Sequence, residues 1–210
     1  MELPNQSAES IGGRSGLSDM ALLIIDMINP FTFPRAEDLF PAAYDVAAHI
    51  CRLKQKANQA AMPVIYINDN FGTWRHDFQT LVRQCRDEPC RGRGIAELLA
   101  PSQNDYFVLK PKHSAFFATP LEILLQSLSV RRLILTGVTG DQCILYTAAD
   151  AYMRGYGLFV PSDCTASLSA QVNEQALEHM RTYFDANTCL SEQLITTAPA
   201  EALAKCGTPQ

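Results

Sequence analysis

Short, near-continuous aliphatic runs alternate along this chain with stretches whose apolar residues recur at helical spacing, and the alternation predicts the elements. Ala21 to Ile25 reads as a strand buried on both faces, with Asp26 at its carboxyl tip. Asn29 to Pro34 holds two prolines and two phenylalanines and reads as a loop. From about Asp38 to Ala60 the residues Val46, Ala47, Ile50 and Leu53 mark a helix, and Pro63 opens a second strand, Val64 to Ile67, ended by Asn68-Asp69-Asn70. Phe71 to Gly94 is the least regular stretch, rich in arginine and broken by Gly and Pro, and is expected to form a lid or a subunit interface. Tyr106 to Leu109 is a third strand ending at Lys110, where Pro111 bars the ladder from continuing. Thr119 and Pro120 predict an N-cap and a first helical residue, with the helix reaching about Leu128. Beyond it, Arg131 to Thr136 reads as strand, Cys143 to Arg154 as a helix closed by Gly155, Gly157 to Pro161 as strand, Asn173 to Asp185 as helix, and Leu190 to Thr196 as the last strand.

Strands alternating with helices predict an α/β fold, a parallel sheet covered on both faces and joined by right-handed crossovers. Residues 1–19 are polar and read as a mobile arm, 20–197 as a single domain, and 198–210 as a tail. A chain of 210 residues with 47% hydrophobic content can bury one substantial core. A net charge of −5, without a compensating basic block, excludes nucleic acid and anionic membrane as partners. No apolar run approaches the roughly 18–20 residues that span a bilayer, and the N-terminus lacks the pattern of a signal peptide, so a cytoplasmic location is expected. The seven cysteines are odd in number and contain no CxxC pair, so reduced thiols are expected; Cys85 and Cys90 are close enough in sequence for a regulatory disulfide or a metal clip as the lesser alternative.

Candidate chemistry lies at the strand tips. Leu135 to Ala149 runs from strand through Gly-Val-Thr-Gly-Asp-Gln into a helix-patterned run, placing Cys143 near a helix start, where unpaired N–H groups and the helix dipole favour a thiolate. The alternative is a buried cysteine acting as a small hydrophobe. Asp26 is either a loop anchor or a base for the cysteine, and Lys110 is placed to stabilise both anions. Three polar residues past the ends of three strands converge on one rim of the sheet, where ligands of open α/β sheets bind. His113 and His179 are competing bases. Backbone N–H groups of Thr139 and Cys143 are candidates for an oxyanion hole. Phe31 and Trp74, aromatic residues in adjoining loops, are expected to line the substrate pocket.

These blocks resemble the isochorismatase-like cysteine hydrolases, among them nicotinamidases, N-carbamoylsarcosine amidase, ureidoacrylate hydrolases and biuret hydrolases. The resemblance covers most of residues 20–197 and rests on LLIIDMINPF around Asp26, LKPKHSAFFAT around Lys110, and LTGVTGDQC with TAADAYMRGY beyond it. It implies a three-layer, Rossmann-like α/β/α sandwich with a six-stranded parallel sheet. It also implies an Asp26–Lys110–Cys143 triad, with Lys112 as the rival lysine, a cis peptide between Val138 and Thr139, a thioester intermediate resolved by water, and a homodimer or homotetramer. Nicotinamidases carry an aspartate and histidines for a metal after the second strand, whereas this chain has Asn68-Asp69-Asn70-Phe71 with only His76 nearby, so neither metal nor cofactor is expected. His113 stands where tyrosine is common in the family. The resemblance thus implies hydrolysis of a C–N bond in a small amide, ureido or carbamoyl substrate. The alternatives are isochorismatase-type cleavage of a vinyl ether and a catalytically silent scaffold.

Overall fold

The computed structural model describes residues 19–70, 77–87 and 89–194. Strand β1 (Met20–Ile25) is buried at every position, the result of six apolar residues with both sheet faces covered. Alternation along it separates two cores: Leu22 and Ile24 face one, Ala21, Leu23 and Ile25 the other. The first core is closed by helix α1 (Ala36–Gln59) through Leu39, Val46, Ile50 and Leu53. The second is closed by helices α4 (Leu121–Ser127), α5 (Leu145–Met153) and α6 (Ala170–Phe184).

Strands β2 (Val64–Asp69), β3 (Tyr106–Lys110), β4 (Arg132–Val138), β5 (Gly157–Phe159) and β6 (Thr165–Ala166) complete a six-stranded sheet. Its order is β3-β2-β1-β4-β5, with β6 paired to the end of β4, and the pairings are parallel. Since β1 has β2 on one side and β4 on the other, the chain changes direction across the sheet there. Such a switch point leaves a crevice at the carboxyl ends of the two strands.

Several elements differ from the sequence expectation. Phe71 to Gly94 is not wholly irregular: its described residues include α2 (Phe78–Asp87), and α3 (Arg93–Leu98) follows. Phe78, Leu81, Val82 and Cys85 of α2 are buried at i, i+3, i+4 and i+7, a helical stripe masked by arginines on the other face. The last strand expected at Leu190 to Thr196 is instead the short helix α7 (Ser191–Leu194). Ser191 donates from its N–H (2.8 Å) and its Oγ (2.7 Å) to the Asp163 carboxylate, which fastens that turn, and the sixth strand is Thr165–Ala166. Asp19, assigned to the arm, belongs to the domain, because its carbonyl accepts the Arg131 and Arg132 N–H groups and its carboxylate pairs with Arg132. The rest of the arm and the tail lie outside the described residues. Cys85 and Cys90 are not joined by a disulfide, and Cys90 donates to the Cys85 carbonyl. Among the described residues, no helix is long and apolar enough to cross a membrane.

Candidate active site

Asp26 follows β1 with φ 54°, a left-handed conformation that aspartate tolerates better than most residues. Its N–H continues the ladder to the Ile67 carbonyl at 2.8 Å. The carboxylate is held on both oxygens: Oδ1 accepts the Asp69 N–H at 2.8 Å, and Oδ2 lies 2.8 Å from Lys110 Nζ. Lys110 is paired in register with Asp69, and its side chain is 0% exposed. Besides Asp26, its ammonium reaches Cys143 Sγ at 3.4 Å and Asp69 Oδ2 at 3.8 Å. Burial opposes its charge, yet Asp26, Cys143 and Asp69 together raise its pKa above the ordinary lysine value, so it stays an ammonium. Lys112 is exposed, and the lysine inside the site is Lys110.

Cys143 sits in a π-helical turn, Gly140–Ile144, that runs directly into α5. Two glycines make this entry feasible. Gly137 has φ +116°, and a Cβ there would fall 2.0 Å from the Ile25 carbonyl oxygen; a Cβ on Gly140 would meet Asn173 Oδ1 at 2.2 Å. The turn is braced by Ser167 Oγ, which accepts the Asp141 N–H at 3.2 Å and lies 3.2 Å from Asn173 Oδ1. Thr139 precedes the turn, the Val138–Thr139 peptide is cis, and the Thr139 carbonyl accepts the Gln142 and Ile144 N–H groups.

The structure thus brings Asp26, Lys110 and Cys143 together at the switch point. It does not bear out a stabilised thiolate. Burial, then the charge of Asp26, push the Cys143 thiol up to about 12, and the opposing pull of Lys110 is smaller. His179 is away from this cluster, exposed on α6 with its ring against Tyr183 and Phe184. His113 Nδ1, by contrast, is 3.9 Å from Cys143 Sγ.

A cavity of about 310 Å³ opens on the Asp69 side of the cluster, near the lower end of small-ligand pockets. Phe33, Leu81 and Leu109 form apolar walls, and Asn29, Asn70 and Gln84 offer amide groups. Phe31, expected in the pocket, is 1% exposed and belongs to the core. Its N–H turns back onto Asn29 Oδ1 at 2.7 Å, and its ring packs edge-on against Phe40 of α1 at 5.4 Å, which leaves Phe33 to line the cavity. Trp74 and His76 lie outside the described residues. Among the described residues, no group of three or more His, Cys, Asp or Glu side chains is placed to hold a metal ion, and the Asp69 carboxylate beside Lys110 is a poor cation ligand.

Sequence reasoning missed Asp69 as the anchor of Asp26. The available signal was its place at the end of a strand next to the one that ends in Lys110. Ser167 and Asn173 carry no motif that would mark them.

Comparison with known proteins adds the family. The model of the isochorismatase domain matches residues 20–193. An uncharacterised isochorismatase family protein of Bacillus subtilis is 45% identical over 85% of this chain and 97% of its own length. A ureidoacrylate amidohydrolase of Stutzerimonas stutzeri is 26% identical, covering 80% of this chain and 78% of its own. The crystal structure of N-carbamoylsarcosine amidase from Thermoplasma acidophilum superposes with a TM-score of 0.67 at 24% identity, over 84% of this chain and 98% of that one. A match over nearly the whole domain, on a sheet of the same architecture, places this chain in the isochorismatase family of hydrolases.

Proposed function

We propose that this protein is a cysteine amidohydrolase that cleaves the C–N bond of a small amide, ureido or carbamoyl compound through a thioester on Cys143. The observation that carries the reading is one ammonium, Lys110 Nζ, lying 2.8 Å from the Asp26 carboxylate and 3.4 Å from the Cys143 sulfur. A buried thiol does not ionise ahead of the reaction, so Asp26 takes its proton as Sγ bonds the carbonyl carbon. Lys110, 2.8 Å from the Asp26 carboxylate, steadies the sulfur as it becomes negative. Backbone N–H groups of Thr139 and Cys143 receive the oxyanion, a contribution on the order of 3 kcal/mol per donor. Asp26 then returns the proton to the departing nitrogen, and water resolves the thioester. The likeness to a ureidoacrylate amidohydrolase supports C–N cleavage.

The test is ammonia release from a panel of small amides and ureas by the wild type, Cys143→Ala and Asp26→Asn. Both variants are expected to lose turnover by roughly 1,000-fold or more. Loss in Asp26→Asn with retention in Cys143→Ala would turn the reading to a thiol-independent, isochorismatase-type hydrolase. A wild type inert to the whole panel and to isochorismate would leave a scaffold.

A further inference from the structure

One more group faces the sulfur. His113 Nδ1 lies 3.9 Å from Cys143 Sγ, and His113 is exposed to solvent where Asp26 and Lys110 are buried. Its ring stacks on Tyr146 of α5, with 5.6 Å between centroids and 26° between planes. The two residues after it are fastened to the same helix: Ser114 Oγ donates to the Asp150 carboxylate, and the Ala115 N–H donates to Thr147 Oγ1 at 3.0 Å. The imidazole is therefore held over the sulfur by ring stacking and by hydrogen bonds on adjacent residues. Asp26 approaches the sulfur from the buried side, with the Asp69 N–H on one oxygen and Lys110 on the other, whereas His113 meets it from the solvent side.

We propose that His113 is a second, solvent-side catalytic residue, the base for the water that releases the acyl group from Cys143. This rests on the cysteine-hydrolase reading above. Once the nitrogen has left, the carbonyl carbon is bonded to Sγ. Neutral His113, protonated on Nε2, accepts a proton from water at Nδ1 as the water oxygen bonds that carbon and the carbonyl π pair moves onto its oxygen. Collapse restores the double bond and breaks C–S, and the sulfur keeps the bonding pair and takes the proton back from Nδ1. Thioester and water become acid and thiol, and the histidine ends neutral.

The experiment uses p-nitrophenyl acetate as probe in pre-steady-state kinetics with intact-mass detection. Acylation releases one p-nitrophenolate per chain and leaves an acetyl group on Cys143; the following turnover reports deacylation. His113→Phe, which keeps a ring for Tyr146, is expected to retain the burst and to deacylate about 100-fold more slowly, so that the acetyl adduct accumulates. The intact burst shows that the site has folded. Deacylation slowed by less than about tenfold overturns the proposal. So does a slowed burst with normal deacylation, which would make His113 a base for the thiol, and so does His113→Gln deacylating at the wild-type rate, since glutamine cannot accept the proton. Absence from the wild type of burst, adduct and Cys143-dependent turnover together would remove the thioester reading itself, an outcome read before any His113 variant is made.

Discussion

A thiol taken out of water resists ionising because the anion loses more hydration than the neutral group, and at Cys143 the neighbouring Asp26 carboxylate adds to that resistance. Lys110 pulls the other way without winning, so the proton stays on sulfur until a base collects it during attack. Two outcomes follow. Alkylation of Cys143 by iodoacetamide, followed by peptide mapping from pH 7 to 12, is expected to be slow at pH 7 and to climb through the alkaline range. Half-ionisation below pH 8 would contradict the dominance of burial. The second outcome concerns stability, and its sign comes from proton counts. Above about 9, the unfolded thiol value, the unfolded chain releases a proton that the folded chain keeps, so wild-type stability falls with rising pH relative to Cys143→Ala. The slope is at most about 1.4 kcal/mol per pH unit, read from urea midpoints of the two proteins side by side.

Elements are tied together by polar groups that the hydrophobic pattern does not reveal. Lys54 lies on the buried face of α1, and its ammonium meets Asp105 at 2.8 Å and donates to the Ala100 carbonyl at 2.8 Å, which fixes the connection into β3. Both side chains are nearly excluded from water, 9% and 3% exposed. Lys54→Met strands the Asp105 carboxylate and is expected to lower stability by about 3–5 kcal/mol, whereas adding Asp105→Leu should restore much of the loss. Urea unfolding of the single and double variants checks this, and equal losses in both would show that the stranded Asp105 charge is not the cause of the loss. The same contrast explains what could be read from the sequence. Strands β1 to β4, α1 and the convergence of Asp26, Lys110 and Cys143 were legible because buried parallel strands are aliphatic throughout and their polar tips stand out. Helix α2 was hidden by its arginines, α7 was fastened by Asp163 far away in sequence, and the burial of Phe31 followed from a local turn onto Asn29. At α7 and Phe31 a specific contact outweighed the local pattern, whereas in α2 the pattern was present and masked.

At the scale of the molecule, the reacting groups hang from both sides of the strand that divides the two cores. Asp26 ends β1, Cys143 follows β4 on one side of it, and Lys110 ends β3 two strands away on the other. Their 2.8 and 3.4 Å separations therefore depend on the register of four parallel strands, none of which is stable as a sheet without helices on both faces. Such a site should not open ahead of the fold. Leu23→Ala, at a fully buried position of β1, removes packing from the core under α5 and α6 and is expected to lower stability by about 2–5 kcal/mol. If site and sheet form one cooperative unit, the variant unfolds in a single urea transition with an unchanged slope, and Cys143 becomes reactive toward thiol reagents at the same urea concentration at which helical dichroism is lost. Reactivity appearing at clearly lower urea would mean that the π-helical turn and α5 detach first and that the sheet register does not hold the triad together.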